Sequence, residues 1–401
     1  MKGTRPRVFM MDLWATVPYY TAYLSRALLA EGVDVMVGSI SYYLDGDCFT
    51  SRGIKLDPGL LDVVGKFQLP RLPRRALKLI EAVVNLVALI LRFMASSPDI
   101  IHVQFLPMLK WHIPLDFWFV KLCRKRGSKI VLTVHDLLPH NTGETFKPTF
   151  MELYRNVDRI ICHSNHIQAR LETEFSVPPE KISVIPHGPF FYDLAITNDE
   201  KMSLHVDGAS ERVQVLWQGI ISPYKGVDLL LSAWQQVEAQ TSDCWLMITG
   251  TGAPDLLEQI REQVRSLELH RVELNLRFVS TRELVALYRA ADVVVYPYRA
   301  ITTSGALATG LALGKAIVAS DLPVFRELLI NRENALLVDP QDTKALAGAL
   351  VELDRDAGLR ERLAEAVSSM HFGDQSWLSI AKDTSRAYEI ALAPHEIDSP
   401  E

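Results

Sequence analysis

The chain has 401 residues, more than one ordinary hydrophobic core organises, so two domains are expected. Its 48% hydrophobic and 22% charged residues, without low-complexity blocks or short repeats, are those of a globular protein. A net charge of -6 lacks the basic excess of a nucleic-acid binder, and four scattered cysteines without a CxxC pair exclude a zinc site or disulfide scaffold.

Taken in chain order, MKGTRPRVFMMDLW passes from basic residues into a strand-like run and lacks the apolar region of an export signal. With Cys48, Cys123, Cys162 and Cys244 unpaired in sequence, a reducing cytoplasm is expected. The first half then alternates RVFMMDL, VDVMVGS, IIHVQF, IVLTVHD, RIICHS and ISVIPHG with helical patterns such as YYTAYLSRALLAEG. Near-continuous apolar runs of this kind predict parallel strands buried on both faces and joined by helical crossovers.

The second half repeats the arrangement. VQVLWQG, WLMITG, LNLRFV, VVVYPY, AIVAS and ALLV alternate with predicted helices near 225–239, 254–268, 281–291, 304–313 and 342–353. The polar stretch FFYDLAITNDEKMSLHVDGASER reads as a linker, and SWLSIAKDTSRAYEIAL as a last amphipathic helix before an acidic tail, HEIDSPE. The expected architecture is α/β, two doubly wound Rossmann-like domains facing across a cleft. Residues 1–195 form the first, 196–373 the second, and 374–401 a helix returning toward the first, with its tail. Ligands of such sheets bind beyond the C-terminal ends of the strands.

The turns there carry the chemistry. After VQVLWQG, Gly219 opens a turn that sets Lys225 and Gly226 at the mouth of a helix. Solvent exposure is the plain reading of a lysine; binding an anion that Gly226 lets near the backbone is the functional one. After VVVYPY, Arg299 precedes Thr303, Ser304 and Gly305 at a helix start: an ordinary N-cap, or N–H groups offered to a phosphate. Glu327 follows AIVAS, either as a favourable acid near a helix start or as an acceptor for ribose or sugar hydroxyls. Gly250 lies in ITGTGAP, too short for a dinucleotide fingerprint. In the first half, His135 ends IVLTVHD and is a polar catalytic candidate, while His187 of ISVIPHG reads as a brace at the domain junction.

Together VLTVHDLLPH, KISVIPHG, GIISPYKGVDLLLSAW, YRAADVVVYPY, SGALATGLALGKAIVASD and NALLVDPQDTKALAGAL resemble the GT-B-fold glycosyltransferases. The likeness is greatest to the large retaining family four that builds bacterial polysaccharides and glycolipids. The resemblance implies that Lys225 binds the donor's diphosphate, that the Ser304–Gly305 turn cradles its distal phosphate, and that His135 lies near the transferred sugar. Glu327 matches a glutamate common after the same strand. It also implies no bound metal or cofactor, so the pairs Asp45/Asp47 and Asp354/Asp356 are not read as metal sites. The pattern is broken in three respects: Ile301 and Thr309 stand where the family has two glutamates, Ile220 where an arginine is common, and WATVPYY where a glycine pair is. Arg299 is then the compensating cation, and Asp12 a general base should the reaction invert.

The expected activity is hexosyl transfer from a UDP- or GDP-sugar to a glycan or lipid-linked acceptor, retaining and metal-independent, with His135, Lys225 and Arg299 as the catalytic set. Two alternatives stay open: a sugar-nucleotide epimerase, and a non-catalytic relative that binds nucleotide or glycan. Finally, RLPRRALKLIEAVVNLVALILRFMA groups Arg71, Arg74, Arg75 and Lys78 before an apolar run that is short of a membrane span and reads by itself as a buried core helix. With Lys121, Arg124, Lys125 and Arg126 in WHIPLDFWFVKLCRKRGSK, these cations are either solvated faces or a patch resting on an anionic membrane.

Overall fold

The computed structural model describes residues 6–67, 70–109, 113–138, 143–195, 212–370, 372 and 374–393. The predicted acidic tail, most of the predicted linker and the side chain of Arg71 lie outside the described residues. The chain divides into two compact units, Met1–Pro186 with Trp377–Glu401, and His187–Ser376.

In the first unit β1 (Arg7–Asp12), β2 (Asp34–Ser39), β3 (Ile100–Val103), β4 (Lys129–Thr133), β5 (Arg159–Cys162) and β6 (Ile182–Val184) form one parallel sheet in the order β2-β1-β3-β4-β5-β6. Its connections carry α1 (Pro18–Ala30), α2 (Arg71–Ala95), α3 (Leu115–Lys125), α4 (Lys147–Asn156) and α5 (Asn165–Phe175). Every residue of β3, and all of β1 after Arg7, is buried, as a strand covered by helices on both faces must be.

The second unit opens with the short α6 (Tyr192–Ala195). Its strands are β7 (Val213–Gln218), β8 (Cys244–Thr249), β9 (Val272–Asn275), β10 (Val293–Tyr296), β11 (Ala316–Ser320) and β12 (Leu336–Val338). They run parallel in the order β12-β11-β10-β7-β8-β9, the order of a doubly wound dinucleotide-binding sheet. Around them lie α7 (Val227–Gln240), α8 (Pro254–Ser266), α9 (Thr281–Ala290), α10 (Gly305–Ala312), α11 (Pro323–Arg326), α12 (Thr343–Arg355) and α13 (Ala357–Ser368). Trp217, Trp234, Leu230, Val293, Val318 and Leu350 are at the heart of this unit's core.

Two expectations need correction. The apolar run LNLRFV is not a strand throughout: β9 ends at Asn275, whose carbonyl accepts the Arg277 N–H at 2.9 Å and turns the chain out of the sheet. Nor is α2 a buried core helix. Ala82, Leu86, Leu89 and Phe93 face inward, while Ile80, Val84, Val87 and Leu91 are exposed. Its inner side is fixed by polar groups: the Glu81 carboxylate accepts from the Val63 and Val64 N–H groups at 2.6 and 3.0 Å, and Asn85 exchanges two hydrogen bonds with Leu61.

The last helix, α14 (Asp374–Leu392), belongs to the first unit from Trp377 onward. Trp377 stacks on Tyr23, centroids 5.5 Å apart and rings 13° from parallel. Tyr388 Oη lies 2.6 Å from His102 Nδ1, and His102 Nε2 is 2.7 Å from Thr133 Oγ1. Burial pushes the His102 pKa down to about 3, so this imidazole bridges helix and sheet in its neutral form.

Candidate functional site

Strand order reverses between β7 and β10 in the second unit, so the loops leaving these strands flank the expected ligand crevice. The chain leaves β7 through Gly219, at φ 154°, where an added Cβ would lie 2.8 Å from Lys225 Nζ. Gly250, just beyond β8, approaches so closely that its Cβ would fall 1.8 Å from the Gly219 carbonyl oxygen. Only glycine lets these two turns meet with the lysine folded over them. Gly226, at φ 65°, ends the short turn Pro223–Lys225 and starts α7 against the Pro297 carbonyl beyond β10.

Lys225 is half-buried, and burial pushes its pKa down to about 8. Its ammonium lies 5.8 Å from the Tyr298 ring centroid and 6.0 Å from that of Tyr224, with no acidic partner among the described residues. A withdrawn cation of this kind costs stability until an anion arrives.

Arg299 is placed otherwise than as a second ligand cation. Its guanidinium grips the Asp228 carboxylate with two hydrogen bonds of 2.8 and 2.6 Å and donates to the Pro223 carbonyl at 2.6 Å. Its backbone N–H also reaches the Tyr224 carbonyl at 2.7 Å. The fork therefore straps down the turn that carries Lys225. Asp228 escaped the sequence reading. An acid at the start of a helix, two residues past the glycine, was the available signal, but its partner is 71 positions away.

Ser304 is the N-cap of α10, its hydroxyl accepting from the Leu307 N–H at 3.1 Å. The plain reading of that side chain holds. Thr303 and Gly305 stand half-buried beside it, and a Cβ on Gly305 would lie 2.6 Å from the Phe190 ring and 3.3 Å from His187 Cε1. Thr309 is buried inside α10 and donates to the Gly305 carbonyl at 2.8 Å. Glu327 is exposed at the C-terminal end of α11. A cavity of about 210 Å³ opens beyond β10, β11 and β12, lined by Pro297, Ser320, Val338, Asp339 and Gln341.

In the first unit the order reverses between β1 and β3. Asp12, at the end of β1, is fully buried and accepts from the Thr16 and Val17 N–H groups at 2.8 and 3.0 Å and from Thr21 Oγ1 at 3.3 Å. It shapes the turn into α1, with both carboxylate oxygens accepting hydrogen bonds from the chain that follows. His135, beyond β4, is buried with Nε2 3.1 Å from Gln104 Oε1 and its ring edge-on to Tyr20 at 4.8 Å. It lines a cleft of about 380 Å³ with Gln104, Phe105, Asp136, Phe150 and Tyr154. Among the Asp-x-Asp pairs, Asp45 accepts from Tyr19 Oη at 2.8 Å and Asp356 caps α13.

Comparison with known proteins agrees with this build. Residues 17–188 match the model of Glycosyltransferase Family 4, and residues 212–356 that of Glycosyl transferases group 1. An uncharacterised glycosyltransferase of Methanocaldococcus jannaschii is 24% identical over 238 residues, 58% of this chain and 60% of the relative. The phosphatidyl-myo-inositol mannosyltransferase of Mycolicibacterium smegmatis is 33% identical over 172 residues, 42% of each chain. The matched stretches thus span less than two thirds of those relatives' lengths. Among solved structures, Anabaena HepE in complex with UDP and glucose superposes with a TM-score of 0.71 at 18% identity, over 95% of this chain and 99% of that one. A glycosyltransferase of Rickettsia africae gives 0.70 at 17% identity, over 97% and 99%. Two family domains in sequence on two six-stranded parallel sheets settle the membership: this chain belongs to the GT-B-fold glycosyltransferases, with a family 4 domain followed by a group 1 domain.

Proposed function

We propose that the chain transfers a hexosyl group from a UDP- or GDP-sugar to a glycan or lipid-linked acceptor, with retention and without a bound metal. The observation that carries this reading is Lys225: a withdrawn ammonium without an acidic partner among the described residues, beyond β7 at the point where strand order reverses. A leaving diphosphate supplies the missing anion, and an ammonium held ready for it stabilises charge as the glycosidic bond breaks. The N–H groups at the start of α10 favour a phosphate in the same way. His135 is the polar contact for the transferred sugar in the first unit, and Glu327 an acceptor for donor hydroxyls. Arg299 acts through Lys225 by fixing its turn.

The test is thermal unfolding of the wild type and Lys225→Ala with UDP, GDP, ADP, TDP and CMP. A nucleotide at about 100 times its Kd stabilises the native state by roughly 2.7 kcal/mol, raising Tm by several degrees in the wild type alone. Equal shifts in both proteins remove Lys225 from the site, and no shift with any nucleotide rejects the donor reading. Product analysis with donor alone and with acceptor then separates transfer from epimerisation.

A further inference from the structure

Nineteen large apolar side chains are exposed among the described residues, and thirteen of them lie on α2, on the 61–67 segment tied to it, or on α3 packed beside it. On α2 itself Ile80, Val84, Val87, Leu91 and Met94 recur every three or four residues, each 47–65% exposed. They form a stripe about 21 Å long. A concentration of this kind on one face marks a contact surface.

Charge identifies the occupant. The one acid of α2, Glu81, is buried against the 63–64 backbone, so no carboxylate stands on the outer face. Cations sit at both ends: Arg74 and Arg75 at the start of the helix, and Arg126 at its end, donating to the Met94 carbonyl at 2.8 Å. A second copy laid on this face sets cations against cations in either orientation. Anionic lipid headgroups meet the same cations favourably. Most of the cations are also engaged within the unit: Lys78 donates to the Trp14 carbonyl, Arg92 pairs with Asp57, Lys121 with Glu152 and Arg124 with Asp158. Arg74, Arg75 and Arg126, at the two ends of the helix, have no acidic partner among the described residues, and neither has the apolar stripe between them any other partner there. No described helix is long and apolar enough to cross a membrane.

We propose that the outer face of α2, with Trp118 of α3 beside it, lies in the headgroup layer of an anionic bilayer and is held there chiefly by apolar insertion. Amphipathic helices bind in this way, in the plane of the interface. The inference is independent of the donor site. It is tested by flotation of the full chain with phosphatidylcholine vesicles, with and without phosphatidylglycerol. The wild type should float with the phosphatidylglycerol vesicles, and the double substitution Val87→Asp, Leu91→Asp should lower the bound fraction about tenfold or more. Raising salt to about 0.5 M should lower it about threefold or less. The substituted side chains are exposed, so Tm should not change; if it falls, Leu91→Ser replaces the pair. Three results overturn the proposal: no flotation of the wild type, binding abolished by salt but indifferent to the substitutions, or a soluble dimer that Leu91→Asp dissociates.

Discussion

Polar side chains on β1 and β3 of the first unit find partners within the fold, whereas the turn after β7 in the second leaves a cation open. At the end of β1 the Asp12 carboxylate accepts from two backbone N–H groups and a threonine, and within β3 His102 joins Tyr388 to Thr133. Beyond β7, Arg299 has its carboxylate in Asp228, yet Lys225, three residues before that acid, has none. Both units are six-stranded parallel sheets, so topology alone does not make the difference. Buried polar groups with partners hold a fold; one left without a partner points to a ligand.

The largest effect expected is structural. Asp12→Ala leaves two inward N–H groups without an acceptor and should cost about 2–4 kcal/mol, read as a fall in denaturation midpoint at unchanged m. If stability is unchanged, the pairing of polar groups in the first unit is wrong. Lys225→Met should do the reverse. It should weaken nucleoside-diphosphate binding about 100-fold by calorimetry, roughly 2.7 kcal/mol, while raising the stability of the ligand-free protein by about 1–2 kcal/mol. A destabilised variant means that the lysine is a structural contact.

Arg299→Met should have a smaller effect, about tenfold in affinity, with little further loss when added to Lys225→Met. Full additivity in that cycle makes Arg299 an independent ligand cation instead of a strap. The smallest effect is pH-dependent. The folded pKa of Lys225, about 8, lies below its ordinary 10.5, so the unfolded chain binds more protons between these values. Stability should therefore rise as pH increases through that window, by about 1 kcal/mol once solvent screening of this half-buried group is allowed for, and Lys225→Met should abolish the rise.

Much of this was legible in the residues themselves. Eleven of the twelve described strands announce themselves as short apolar runs, β9 (VELN) being the exception, and the glycine turn with Lys225 stands out because a cation at a helix start needs a reason. What stayed hidden depends on contacts distant in sequence. The fork between Arg299 and Asp228, the close approach of Gly250 to Gly219 that leaves no room for a Cβ, and the hydrogen bonds to Asp12 are visible only once the strands are side by side. Periodicity marks α2 as amphipathic but cannot say that apolar side chains line its outer side as well as its inner one. Nor can an apolar run such as LNLRFV show where its backbone leaves the ladder, as it does at Asn275.

The central claim is that the Lys225 ammonium is the group a nucleoside diphosphate meets. Proton uptake on binding tests it most directly, by calorimetry of UDP and GDP at pH 9 in two buffers of different ionisation enthalpy. At that pH a free lysine of pKa about 8 is mostly neutral, and an adjacent diphosphate favours its charged form. The wild type should therefore take up about 0.8 proton per nucleotide bound, and Lys225→Met close to none. Equal uptake by the two proteins, or tight binding by the wild type with no uptake, would contradict the account.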